Sequence, residues 1–243
     1  MNLIRTTEGV FVERPGSPPL RLGYVIGIGR NYAEHAKEQG ADLPDRPMVF
    51  TKSSQSLTLH GEPIIIPGVC RDPESGGPDQ VDYEAELAVV LGEPIKNATQ
   101  EEASAAVLGY ACANDVSARW WQKKGSGGQF CRGKSFDTFC PIGPRVVPAA
   151  DIAEPQALAV RCRVSGELMQ DGSTSQMIFP IAELLADLSR GATLPAGTVV
   201  LTGTPSGVGA ARTPPRFLAT GDTVDIEIEG IGTLSNPVEN APA

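Results

Sequence analysis

The run Val81-Asp82-Tyr83-Glu84-Ala85-Glu86-Leu87-Ala88-Val89-Val90-Leu91 has the character of a buried strand, yet two glutamates sit inside it. Side chains alternate along a strand, so Glu84 and Glu86 share a face with their α-carbons about 6.5 Å apart, and the two carboxyl groups converge. That face continues as Ala88 and Val90. Two unpaired carboxylates beside it would cost several kcal/mol unless a cation or a proton neutralised them. The alternative is an edge strand that turns both acids to solvent. A third acid, Asp115, ends a second apolar run, Gly109-Tyr110-Ala111-Cys112-Ala113-Asn114. There it either joins the two glutamates or caps the helix that Ser117 and Arg119 would begin. Three carboxylates without a Cys/His cluster suit a hard ion, Mg2+ or else Mn2+ or Ca2+.

The rest of the chain favours short strands. With 27 Gly and 21 Pro among 243 residues and 5% aromatics, tight turns must recur, which excludes a helical bundle. The expected class is α+β and β-dominated. No low-complexity linker divides the chain, so residues 1–20 read as a short lead-in and residues 21–243 as a single catalytic domain. A net charge of −9 argues against a polyanion-binding protein, because nucleic-acid affinity depends on clustered Lys and Arg neutralising phosphates, and no nucleic-acid partner is expected. The five cysteines, Cys70, Cys112, Cys131, Cys140 and Cys162, are odd in number and form no C-x-x-C pair. They read as reduced, mostly buried thiols. Met1 to Arg5 lacks an apolar signal core and no run of eighteen apolar residues occurs, so the expectation is a cytoplasmic protein without a membrane span.

Along the chain, Leu22 to Gly29 predicts a strand, and 31–39 a short helix closed by Gly40 that makes His35 and Glu38 neighbours. The Gly27-x-Gly29 pair is not a dinucleotide fingerprint, because Tyr32 holds the third glycine position. Residues 68–80 read as a breaker-rich, mobile loop at the mouth of a site. Helices are expected over 99–106, from Trp120 to Lys124, and over 180–190, the last amphipathic by spacing. The run Gly203 to Gly209 is no phosphate cradle, since Thr213-Pro214-Pro215 prevents the helix such a loop needs.

Six segments in order carry a resemblance: Gly29-Arg30-Asn31-Tyr32-Ala33-Glu34-His35, Thr51-Lys52, Tyr83-Glu84-Ala85-Glu86-Leu87, Asn114-Asp115-Val116-Ser117-Ala118-Arg119, Gly133-Lys134-Ser135-Phe136-Asp137 and Leu201-Thr202-Gly203-Thr204-Pro205. Together they resemble the fumarylacetoacetate hydrolase superfamily from Gly27 to about Asn236, most nearly its domain-containing-protein-2 and acylpyruvase-type members. The resemblance implies a fold of rolled mixed β-sheets with a few short helices, and a homodimer. It places metal ligands at Glu84, Glu86 and Asp115, a water-activating pair at His35 and Glu38, and substrate-facing groups at Gln122, Lys134 and Thr204, with Arg30 and Lys52 beside them. Bland alternatives stay open: His35 and Glu38 on an exposed helix face, Lys134 paired with Asp137, Gln122 on the surface. The lead-in is shorter than in many relatives and the 68–80 loop longer, which bears on the far end of the substrate.

The chemistry expected first is metal-dependent hydrolysis of a carbon–carbon bond in a β-diketo acid such as an acylpyruvate. A divalent ion would stabilise the departing enolate, with Lys134 adding positive charge and His35, held by Glu38, taking a proton from water. The alternative omits water: decarboxylation or keto–enol tautomerisation of oxaloacetate or a related diacid. A third reading is a metal-stabilised binding protein without turnover.

Overall fold

The strand Ala85–Leu91 lies fourth in a seven-stranded mixed sheet. The order is Met48–Lys52, Tyr24–Gly29, Thr198–Leu201, Ala85–Leu91, Val107–Asn114, Cys140–Pro148, Leu57–Leu59. Its position explains its composition. Leu87, Val89 and Leu91 belong to one buried cluster and Ala88 and Val90 to another, so both faces are covered and the apolar run is nearly continuous. The edge-strand alternative is therefore overturned. The computed structural model describes residues 1–38, 40, 42–71 and 80–242.

This sheet cannot be flat. Seven strands at about 4.8 Å spacing span about 29 Å, whereas Lys52 and Leu57 are joined by so short a segment that they lie at most about 18 Å apart. The two edge strands end and begin at those residues, so the sheet must curl to bring its two edges within that distance. The small residues Ala88, Ala111 and Ala113 pack in one cluster with Val90, Leu201 and Ile142, and Val10, Val12 and Leu22 of the N-terminal segment complete it. Those three come from, or follow, an antiparallel three-stranded sheet formed by Leu3–Thr6, Gly9–Arg14 and Ser17–Arg21. The larger cluster packs the opposite face against a five-stranded sheet, ordered Glu167–Ser173, Ala159–Val164, Thr223–Ile228, Gly232–Asn240, Ile64–Ile66. The β-dominated α+β class is thus the architecture observed.

Five short α-helices occur among the described residues: α1 (Ala33–Glu38), α2 (Gln100–Ala105), α3 (Arg119–Lys123), α4 (Phe130–Lys134) and α5 (Ile181–Leu188). Beyond the first, Gly40 has a φ of +64° that suits glycine, and residue 39 lies outside the described residues. Thr99 caps α2 in a reciprocal capping box with Glu102. The turn α4 was not legible in a segment of mixed polar and aromatic residues. Of the expected 68–80 loop, Gly68–Cys70 forms a 3-10 turn and residues 72–79 lie outside the described residues.

Candidate metal centre and its cleft

The acidic segment is not one strand. Pairing breaks between Val81–Asp82 and Ala85–Leu91, leaving Tyr83 and Glu84 in the gap. Two hydrogen bonds hold Glu84 beside the second acid-bearing segment: its N–H donates to Asn114 Oδ1 at 2.9 Å, and its carbonyl accepts from the Asp115 N–H at 2.9 Å. Ladder pairing of Ala85 with Asn114 fixes the same register. Glu84, Glu86 and Asp115 are all buried, and one oxygen from each lies within 4.8 Å of the others. Asp115 is not a helix cap: α3 starts four residues later, preceded by Ala118.

Three buried cations meet these acids. Lys52 Nζ donates to Asp115 Oδ1 at 2.6 Å and to the Val116 carbonyl at 3.3 Å. Lys134 Nζ donates to Glu84 Oε2 at 2.8 Å, to Ser117 Oγ at 2.8 Å and to Asp115 Oδ2. Its three protons are therefore committed, and the Lys134–Asp137 alternative is overturned. Arg119 Nη1 pairs with Glu84 Oε1 at 2.7 Å and Nε donates to Asp82 Oδ2 at 2.8 Å. Asp82 also accepts the N–H groups of Tyr83, Gly209 and Ala210, which pins the 207–211 segment to the site.

The charges divide unequally. Burial opposes the Glu84 carboxylate, but Lys134, Arg119 and His35 outweigh it and hold its pKa below the ordinary range. Glu86 is pushed well above that range by burial and by the Asp115 and Glu84 charges, against the weaker pull of Lys134 and the Gly203 N–H. Burial likewise opposes the Lys134 ammonium, and Asp115 and Glu84 override it upward. With Lys52, Lys134 and Arg119 facing Asp82, Glu84 and Asp115, Glu86 is the acid without a cation of its own. Its only hydrogen bond among the described residues comes from the Gly203 N–H at 2.6 Å. A buried, all-oxygen donor set short of one positive partner fits a hard divalent cation.

The cluster forms one wall of a small cleft lined by Glu84, Glu86, Lys134, His35, Gln122 and Thr204, with Arg30, Phe50 and Phe130 at its side. Asp115 and Lys52 lie behind that lining, so Lys52 touches the acids and not the cleft wall. His35 is buried, its Nδ1 2.7 Å from Glu38 Oε1, while Glu38 Oε2 accepts the Gly207 N–H at 2.8 Å. The exposed-helix alternative for His35 is overturned. Gln122 is also buried and lines the cleft, its Oε1 accepting from Arg119 Nη1 at 3.0 Å. Arg30 leaves the strand end with φ of +56°, a costly conformation for a non-glycine residue, and Asn31 fixes it there by bonding Thr202 and Phe179 on both sides. Phe50, Phe130 and the Asp82–Arg119 pair were missed as site residues. Asp82 and Arg119 stood within the quoted motifs, but nothing in sequence signals which aromatic rings reach a cleft.

The profile described as "Fumarylacetoacetate (FAA) hydrolase C-terminal" matches residues 24–239. The chain is 50% identical over 216 residues to oxaloacetate tautomerase YisK of Bacillus subtilis (strain 168), covering 88% of this chain and 69% of the relative. It is 43% identical over 222 residues to the mitochondrial oxaloacetate tautomerase FAHD2A of Homo sapiens, covering 91% and 68%. The solved fumarylacetoacetate hydrolase of psychrophilic Exiguobacterium antarcticum superposes with a TM-score of 0.80 at 40% identity, covering 96% of this chain and 78% of that one. The chain spans 65 to 69% of the length of the first curated relatives. No helix among the described residues is long and apolar enough to cross a membrane.

Proposed function

The chain belongs to the fumarylacetoacetate (FAA) hydrolase family of enzymes, and from that premise we propose that it catalyses keto–enol tautomerisation of a small 2-oxo dicarboxylic acid of the oxaloacetate type. The observation that carries this reading is the His35–Glu38 pair set in one small cleft with the Glu84–Glu86–Asp115 cluster. Two relatives bearing the tautomerase name, at 50% and 43% identity, support the same choice.

Glu84, Glu86 and Asp115 would hold Mg2+, with Mn2+ or Ca2+ as substitutes. The ion supplies Lewis acidity that favours the enolate form of a 2-oxo acid. The chain's own groups do the rest. Glu38, anchored by Gly207, lies 2.7 Å from His35 Nδ1 and orients the imidazole in the cleft, where the ring takes a proton from, or returns it to, the substrate. Because its three N–H groups are occupied, Lys134 stabilises negative charge on the substrate oxygen through its field rather than by a directed hydrogen bond. Arg30 and the Gln122 amide present donors to the carboxylates. Lys52 serves by fixing Asp115.

Hydrolysis of an acylpyruvate, the chemistry expected first from sequence, uses the same His/Glu pair on water and stands second here, together with decarboxylation. The test is loss of oxaloacetate enol absorbance by the Mg2+-loaded protein, with products quantified. Tautomerisation gives the keto diacid without fragments; pyruvate and CO2 would indicate decarboxylation, and pyruvate with a second acid from an acylpyruvate would indicate hydrolysis. His35→Ala should lower enol turnover by about 10²–10⁴-fold. Unchanged turnover in that variant would remove the proton-transfer role. The homodimer expected from the family resemblance and the cytoplasmic location are part of this proposal, the first testable by light scattering.

A further inference from the structure

Gln170 is a buried amide on the Glu167–Ser173 strand, outside every motif that the sequence singles out. Its side chain bridges the two layers at the candidate site. Oε1 accepts the Ala85 N–H at 2.9 Å, between the two glutamates, while Nε2 donates to the Pro205 carbonyl at 2.8 Å and to Thr204 Oγ1 at 2.7 Å. The orientation of this amide is forced: Ala85 N–H can only donate and the Pro205 carbonyl can only accept, so a flipped amide would break both bonds. Thr204 Oγ1 must then act as acceptor toward Gln170. A hydroxyl has one proton, and no acceptor among the described residues takes that of Thr204, whose side chain lines the cleft.

The geometry points to Gln170 as a positioning residue that fixes the polarity of Thr204, turning its O–H into the cleft as a hydrogen-bond donor to an anionic oxygen of the substrate. This rests on the function proposed above, because the recipient is the oxyanion or carboxylate of a 2-oxo acid. With the Gln122 amide nitrogen, Arg30 and Thr204 all presenting donors, this side of the cleft selects for acceptor-rich anions and against ligands that bring a hydroxyl donor to the same point. Without Gln170, the Thr204 hydroxyl rotates to satisfy the orphaned Pro205 carbonyl, and the donor is withdrawn.

The experiment measures calorimetric binding of oxalate to the Mg2+-loaded protein, since oxalate carries the paired oxygens of a 2-oxo acid enolate on an unreactive frame. Enol turnover is measured in parallel. Thr204→Val should weaken oxalate by about 10–100-fold, the range for a hydrogen bond to a charged group. Gln170→Met should weaken it by a similar factor in the wild-type and Thr204→Ser backgrounds, where a hydroxyl is present, and by less than about twofold in Thr204→Val. A purely structural role for Gln170 would lower the melting temperature and cost affinity equally in all three backgrounds, and that additive result overturns the inference. If Gln170→Met does not fold, Gln170→Glu carries the test: it keeps the acceptor for Ala85 but replaces the donor toward Thr204, and unchanged oxalate affinity in it overturns the inference. Absence of both oxalate binding and enol turnover in the wild-type protein overturns the proposed function and this inference together. Wild-type binding with additive losses overturns only the latter.

Discussion

Replacing Lys134 with methionine removes one ammonium from the buried charge cluster at the site while nearly keeping the length of the side chain. In the wild-type protein Lys134, Lys52 and Arg119 face Asp82, Glu84 and Asp115, while burial and the Asp115 and Glu84 charges push the Glu86 pKa well above the ordinary carboxylate range. Lys134→Met takes one positive charge from this buried cluster and strips Glu84 and Asp115 of a shared donor. Breaking a buried pair in this way costs about 3–5 kcal/mol. At about 2–4 °C per kcal/mol for a domain of this size, the melting temperature in EDTA should fall by about 6–20 °C. A divalent cation restores the missing charge and no longer competes with an ammonium for the same oxygens. Mg2+ should therefore raise the variant's melting temperature more than the wild type's, gaining about 2.7 kcal/mol once its concentration reaches 100 times the dissociation constant. The assay is thermal unfolding in EDTA and in stepped Mg2+, with enol turnover alongside. A variant as stable as wild type in EDTA, or one that gains no more from Mg2+ than wild type does, would refute the charge argument. Full turnover at saturating Mg2+ would refute the catalytic role of Lys134.

Three further outcomes are expected. Gly203→Ala should destabilise by about 2–5 kcal/mol and weaken Mg2+ binding, because Gly203 has φ of +99°, an added Cβ would lie 2.7 Å from Asn31 Cβ, and the displaced N–H is the donor to Glu86; urea unfolding and Mg2+ titration check both. The Arg5 hydrogen bond, aided by the Leu59 N–H and Thr58 hydroxyl against partial burial, lowers the Glu62 pKa from 4.5 to about 2. A depressed carboxylate stabilises the fold above its unfolded pKa and loses that contribution as pH falls through the folded one. Glu62→Gln should thus be less stable than wild type by about 1 kcal/mol or less near pH 6, the pair being part-exposed, with the difference shrinking below about pH 4; equal differences across that range would contradict the assignment. Finally, a maleimide should label Cys131 first, since it alone of the five cysteines is exposed, while burial pushes the Cys112 and Cys140 thiols up to about 12; peptide mapping that finds two thiols labelled at comparable rates in the native protein would count against this.

Much of the architecture was written locally. Alternating and continuous apolar runs bounded by Gly and Pro marked the strands, and Thr99 with Glu102 marked the start of α2, because these signals depend on residues a few positions apart. The acidic segment was legible for a similar reason: two glutamates two positions apart in an apolar run share a face, and once that face is buried they demand neutralisation. Its continuity was not. The break at Tyr83 and Glu84 arises because Glu84 bonds Asn114 and Asp115 thirty residues away, a long-range competition that no window of sequence contains.

Sequence by itself determined that this chain is β-rich, that Glu84 and Glu86 share one face of an apolar run, and that His35 and Glu38 share a helical face, since each follows from residue chemistry and the period of the backbone. Only the tertiary structure decided which cations answer which acids. Lys52, Arg119 and Lys134 come from a sheet edge and two separate helices, and rolling the sheet brings them onto one set of oxygens. It likewise brought Gln170 from the second sheet to Thr204, a contact between residues 34 positions apart that a generic buried glutamine does not announce. Hydrogen-bond direction and buried charge are properties of what surrounds a group, and those surroundings are assembled only when distant segments meet.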